Sequence, residues 1–206
     1  FTACSSDDNN NDTPNGTEEV VPGKNHKVLI AYFSEPLPDG VDASTSASRL
    51  VINDNVVGSV EYLAQVIQQN TGGDMVRIQT TTPYPGNFDD LADQANQERQ
   101  NNVHPALSTN IEDFDNYDVV FVGYPIWWYQ MPMPMYSFFD KYDFKGKTII
   151  PFSSHGGSGW SGSLNVISQL EPEATMVTGF SVSRERSASS ADNVKAWLQQ
   201  INMTSK

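Results

Sequence analysis

The sequence predicts an α/β fold in three layers: a doubly wound, five-stranded parallel sheet with helices on both faces. Three observations carry this expectation. Val28-Leu29-Ile30-Ala31-Tyr32-Phe33 and Thr148-Ile149-Ile150-Pro151-Phe152 are continuous runs of strand length and mostly apolar character, as strands buried on both faces require. Other segments repeat apolar residues at helical spacing, so strands alternate with helices, five of each. Such alternation builds a parallel sheet, and right-handed crossovers leave few doubly wound arrangements.

The elements follow in order. The first strand is Val28 to Phe33, and residues 34 to 54, with Pro, Gly, Asp and the cluster Ser44-Thr45-Ser46-Ala47-Ser48, read as a long loop. Val56, Val60, Leu63, Ala64 and Ile67 form a helical stripe, which Thr71-Gly72-Gly73 stops. Met75 to Ile78 alternates in polarity, as an edge strand does. Thr80 to Gly86 is turn-rich, and residues 87 to 101 form a polar, exposed helix. Val119-Val120-Phe121-Val122 is the third strand, and Met135, Phe138 and Phe139 mark a short helix. The fourth strand, Thr148 to Phe152, leads into a glycine-rich loop. Met176 to Val182 is the last strand, and Val194, Trp197, Leu198 and Ile201 are the core face of a terminal helix. No repeat and no second domain is visible, so residues 25–206 read as one domain.

Residues 1–24 differ in character. Phe1-Thr2-Ala3-Cys4 resembles the end of a bacterial lipoprotein signal, with small residues before a cysteine that becomes lipidated. Residues 5 to 24 are polar and acidic, as a disordered tether is. The expectation is an exported protein, lipid-anchored to the cell envelope through Cys4. Without that modification the expectation is cytoplasmic. Cys4 is the only cysteine, so no intrachain disulfide forms. The net charge of −13 argues against nucleic acid as a partner and is compatible with a basic one.

Three loops follow strands one, three and four, and in such a sheet they open on the same edge, where ligands bind. The first holds Ser34, the Ser/Thr cluster and Asn55 before a helix, a neutral donor set for a phosphate. It lacks the Gly-Lys-Ser/Thr of a Walker site. On composition alone it is an ordinary polar loop. The second is Gly123-Tyr124-Pro125-Ile126-Trp127-Trp128-Tyr129-Gln130-Met131-Pro132. Adjacent residues cannot all face one core, so some of the three rings point outward to a flat ligand and at least one fills the core. The third is Ser153-Ser154-His155-Gly156-Gly157-Ser158-Gly159-Trp160, whose glycines permit close backbone approach. His155 there is a solvated histidine or a group that serves a ring.

Together these residues resemble the flavodoxin family, most closely its short bacterial members with a Tyr-Pro-Ile-Trp-Trp loop. Val28 to Ser34 is similar to the first strand and phosphate loop, and Asp54-Asn55-Val56 to the Gly-Asn-Thr element. Pro83-Tyr84-Pro85, His104-Pro105-Ala106-Leu107, Gly123 to Trp128 and Phe144 to Gly159 complete the match, over residues 27 to 202. The resemblance implies strand order 2-1-3-4-5 and FMN as cofactor. Ser34, Asn55 and Val56 would hold the phosphate. Pro125, Ile126, Trp127, Trp128 and Tyr129 would flank the ribityl chain and ring. Ser154, His155, Gly156, Gly157, Ser158 and Gly159 would cover its other side. The chain departs from the family at Asp54 and Val56, which bring a negative charge and lose a hydroxyl. The function so implied is non-covalent FMN binding and electron transport, with a basic redox protein as partner. One alternative is an NAD(P)H-dependent quinone or nitro reductase, an oxidoreductase with His155 as catalytic proton donor and Tyr84 or His104 nearby. The other is a surface lipoprotein that has lost FMN and binds another ligand or a protein.

Overall fold

The computed structural model describes residues 26–36 and 49–205. Cys4, the tether and the Ser44-Thr45-Ser46 cluster lie outside these. The main sheet is wholly parallel. Its spine is β1 (Val28–Tyr32), flanked by β4 (Asp74–Arg77) at one edge and β5 (Val119–Pro125) on the inner side, followed by β6 (Thr148–His155). The last position is shared by β7 (Thr175–Met176) and β8 (Phe180–Ser183), both paired with β6. Counting β7 and β8 as one interrupted strand gives the order 2-1-3-4-5.

Strand alternation divides the core in two. Leu29, Ala31, Phe33, Val120 and Val122 face one way. They pack with α2 (Phe88–Gln100), α3 (Met133–Lys141) and α4 (Ser163–Leu170). Ile30, Tyr32, Val119 and Phe121 face the other way, against α1 (Ser59–Thr71) and α6 (Ala191–Gln200). Apolar residues on both sides of each strand explain the unbroken runs in the sequence.

Four expectations are corrected. First, the stretch read as loop before Val56 contains a hairpin, β2 (Arg49–Ile52) against β3 (Asn55–Gly58). Its turn is Asn53-Asp54, at φ 50° and 64°. Two positive φ values are what a two-residue hairpin turn demands, and Asn and Asp tolerate them. Val56 is therefore a strand residue, and α1 begins three residues later. Second, β5 runs on through Gly123-Tyr124-Pro125, so the aromatic loop opens at Ile126. Third, β6 extends to His155. Fourth, the fifth strand is broken at Pro151. Between Ile149↔Met176 and Phe152↔Phe180, two residues of β6 face three of the partner. Proline has no N–H for the ladder, and the extra residue bulges there. Trp197 of α6 donates its indole N–H to the Thr178 carbonyl in that gap, at 2.9 Å.

Gly123 is fixed by packing. It lies opposite Phe152 in the β5–β6 register, and a Cβ at Gly123 would meet the tip of that ring at 2.2 Å. Both positions are buried among core residues. Gly123→Ala is expected to destabilise the chain by about 1–3 kcal/mol through overpacking, read as a lower urea midpoint with an unchanged slope.

Candidate functional site

β5 and β6 end side by side. Their register runs from Val119↔Thr148 to Pro125↔Ser154, and the Ile126 N–H then donates to the Ser154 carbonyl at 2.9 Å. The two loops therefore leave the sheet at one level. Between them and the start of α2 lies a cavity of about 740 Å³. Ile126, Trp128 and Tyr129 line it from the first loop, Gly156, Gly157 and Ser158 from the second, and Phe88, Asp89, Ala92 and Asp93 from α2. That volume lies in the usual range for small-molecule sites, about 300–1,000 Å³.

The three aromatic residues have three fates. Trp127 is buried in the core, edge-on to Phe33 at 5.1 Å and to Tyr84 at 5.5 Å. It does not line the cavity, and its indole N–H is buried without a partner. Trp128 is partly exposed, and its indole N–H donates to the Ala92 carbonyl of α2 at 2.9 Å, which holds the ring in the wall. Tyr129 is 77% exposed. Trp127 and Gln130 exchange backbone hydrogen bonds of 3.0 and 3.1 Å around a two-residue turn. Its central residues Trp128 and Tyr129 sit at φ 50° and 59°. Bulky side chains in the left-handed region cost energy where glycine costs none. Strain of this kind clusters at ligand sites, and here it turns two rings outward.

On the other wall, His155 is the last residue of β6. Its imidazole does not line the cavity; Nδ1 accepts the Gly157 N–H at 3.0 Å. Burial and the Arg186 guanidinium hold its pKa below the ordinary histidine value. The ring is thus neutral at neutral pH, with its proton on Nε2. Ser154 is fully buried, with its hydroxyl unpaired, and Gly159 stands outside the lining.

The phosphate end differs from the expected arrangement. Asn55 is exposed on the hairpin, its amide donating to the Asn53 carbonyl, and Val56 is 49% exposed beside it. Neither stands at a helix N-terminus, because the hairpin occupies that stretch. What adjoins Ser34 is Gly58, the residue before α1. A Cβ at Gly58 would lie 2.0 Å from the Ser34 hydroxyl oxygen. The Glu61 carboxylate accepts the Gly58 N–H at 3.3 Å and so caps the helix. Arg77 completes this corner. A terminal guanidinium nitrogen donates to the Ser34 carbonyl at 2.5 Å and lies 3.6 Å from the Glu35 carboxylate. Its Nε is buried and unpaired, and burial raises the Glu35 pKa although Arg77 opposes the shift.

Sequence reasoning missed Arg77, Gly58-Ser59 and the α2 residues. The signals were there: Gly-Ser directly before the stripe at 60, 63, 64 and 67, and Phe88 and Ala92 at i, i+4. Tyr84 and His104 lie elsewhere. Tyr84 donates to the Glu98 carboxylate at 2.6 Å, and His104 pairs with Asp140 in a separate cleft beside α3.

The residues that build most of this sheet and its two meeting loops also match a family model. The flavodoxin model covers residues 48–201. The chain belongs to the flavodoxin family. No curated protein matches it. Among solved structures, a Bacteroides eggerthii protein provisionally assigned as a flavoprotein is 27% identical, with TM-score 0.67 over 86% of this chain and 98% of that one. One from Bacteroides uniformis, assigned likewise, is 25% identical, with TM-score 0.67 over 85% and 99%. A Lactobacillus acidophilus flavoprotein solved in complex with FMN is 15% identical and shares the fold, with TM-score 0.59 over 82% and 98%.

The neighbouring aromatics of this flavodoxin-family chain should separate in stability measurements. Trp127→Ala is expected to cost about 3–5 kcal/mol as a core truncation. Tyr129→Gly should instead gain about 0.5–1 kcal/mol by relieving a left-handed residue that buries little. Urea unfolding of both variants checks this.

Proposed function

We propose that the chain binds FMN non-covalently at this edge and exchanges electrons through it. The observation that carries the reading is the cavity between the Trp128-Tyr129 turn and the Gly156-Gly157-Ser158 backbone, with the Trp128 ring held by Ala92. Family membership supports the same cofactor. Bound FMN supplies the redox chemistry. The chain positions it: Trp128 and Tyr129 offer ring faces, and the glycine wall lets backbone approach the ring's opposite side. Ser34, the first turn of α1 and Arg77 form the end suited to the phosphate. An unpaired buried Arg77 Nε fits an anion there. Asp89, Asp93 and Glu35 disfavour further negative charge, which would hold the potential of the bound flavin low.

Electron transfer is favoured over the reductase reading, because neither the His155 imidazole nor Tyr84 nor His104 lines the cavity. Anchoring to the cell envelope remains proposed from Cys4 and its neighbours, and loss of lipid labelling on Cys4→Ser checks it.

Titration with FMN tests the cofactor reading. Quenched flavin and tryptophan fluorescence at micromolar FMN is expected, and no spectral change would sink it. Trp128→Ala should weaken binding about tenfold through lost ring contact. Glu35→Gln should tighten it about two- to fivefold at low salt, because it removes a charge near the phosphate and leaves Arg77 less engaged.

A further inference from the structure

We propose that His155 is a positioning residue: its neutral imidazole, by accepting the Gly157 N–H, holds the glycine wall in place, and protonation releases that wall. The consequence for ligand affinity rests on the FMN reading above; the effect on the loop does not.

The geometry is specific. Gly157 sits at φ 130°, a conformation other residues rarely adopt, so loop shape here comes from few bonds. Two side-chain bonds brace the segment: Gly157 N–H to His155 Nδ1 at 3.0 Å, and the Ser161 hydroxyl to the Ser158 carbonyl at 3.3 Å. Gly156, Gly157 and Ser158 line the cavity, whereas the imidazole does not, so His155 acts through the loop. A doubly protonated ring has no acceptor. Its Nδ1–H would confront the Gly157 N–H, donor against donor, and the bond would be replaced by repulsion.

The surroundings favour the accepting form. The strand ends beside His155 carry Pro125, next to its neighbour Ser154, and Ser183, opposite it; neither titrates. The short helix α5 (Arg184–Ser187) follows Ser183 and also carries Arg184 and Glu185. Arg186 bears on the ring and disfavours a second positive charge, as does burial. Asp89 and Asp93 line the same cavity from α2. Below the depressed pKa the proton binds and the wall is released; above it the wall is held.

The decisive comparison is His155→Asn with His155→Ala. The Asn side-chain oxygen can take the place of Nδ1 as acceptor, and it does not titrate. FMN dissociation constants are measured for the wild type and both variants across the acidic to neutral range. Well above the histidine range, wild type and His155→Asn should agree within about threefold, and His155→Ala should bind about tenfold more weakly. As pH falls through the histidine pKa, wild-type affinity should drop about tenfold relative to His155→Asn. The FMN phosphate titrates near pH ~6 and cancels in this ratio. A flat ratio, or His155→Ala matching wild type at high pH, overturns the proposal.

A second measurement needs no flavin. In the isotopically labelled, cofactor-free chain, the Gly157 amide proton should shift with the titration of His155. Arg186→Gln should move that titration to higher pH. An amide indifferent to His155 protonation overturns the proposal. Failure of FMN to bind at any pH sinks the cofactor reading alone and leaves the amide result to decide this one.

Discussion

The parallel ladder between β5 and β6 sets everything at the ligand edge. Seven residue pairs run in one register, and Gly123 makes that possible by leaving room for Phe152 across the ladder. A one-residue slip would exchange the faces of the whole strand. It would carry Val120 and Val122 out of one core layer and Phe121 out of the other. Because the register holds, Pro125 and Ser154 end level, and the Ile126 N–H reaches the Ser154 carbonyl. Two loops of opposite character, one aromatic and one glycine-rich, then face each other across a single cavity.

Each loop departs from easy backbone conformations in its own way. The aromatic turn holds Trp128 and Tyr129 at positive φ, with Trp127 beneath it as an anchor in the core. Adjacent tryptophans thus do opposite work: one stabilises the fold against Phe33 and Tyr84, and the other gives a face to the cavity. The glycine loop takes positive φ at Gly157 and Gly159, where it costs little, but needs bracing. His155 meets that need from the end of β6, where burial and Arg186 keep its ring neutral. The proposed phosphate end is separate, and its charge balance is close: Arg77 lies between the Ser34 carbonyl and the Glu35 carboxylate, and Ser34 adjoins Gly58 before α1.

Much of this was legible in the residues. Continuous apolar runs, helical stripes and the Gly72 stop located the strands and most helices, since burial on two faces leaves an unmistakable pattern. That some rings leave the core after β5 was legible too, because three adjacent aromatics cannot all be core. The hairpin was not. Leu50 to Val57 reads as a short apolar stretch that suits a helix start or a strand, and Asn53-Asp54 as a turn is a subtle cue. That ambiguity put the expected phosphate element at Asp54-Asn55-Val56, whereas the residues at the start of α1 are Gly58-Ser59. The break in the last strand was equally hidden. Its cause is a proline in the neighbouring strand, more than twenty residues away in sequence.

The layer architecture, the family and the two loops that end β5 and β6 could be read from the residues alone. These follow from side-chain polarity and local spacing, which the chain carries whatever its partners. Only the tertiary structure decided which tryptophan is structural, that α2 closes the cavity, that Arg77 stands beside Ser34, and that His155 serves the loop rather than lining the cavity. Each of these depends on where distant segments meet, and register, packing volume and backbone φ settle that only when the sheet is assembled.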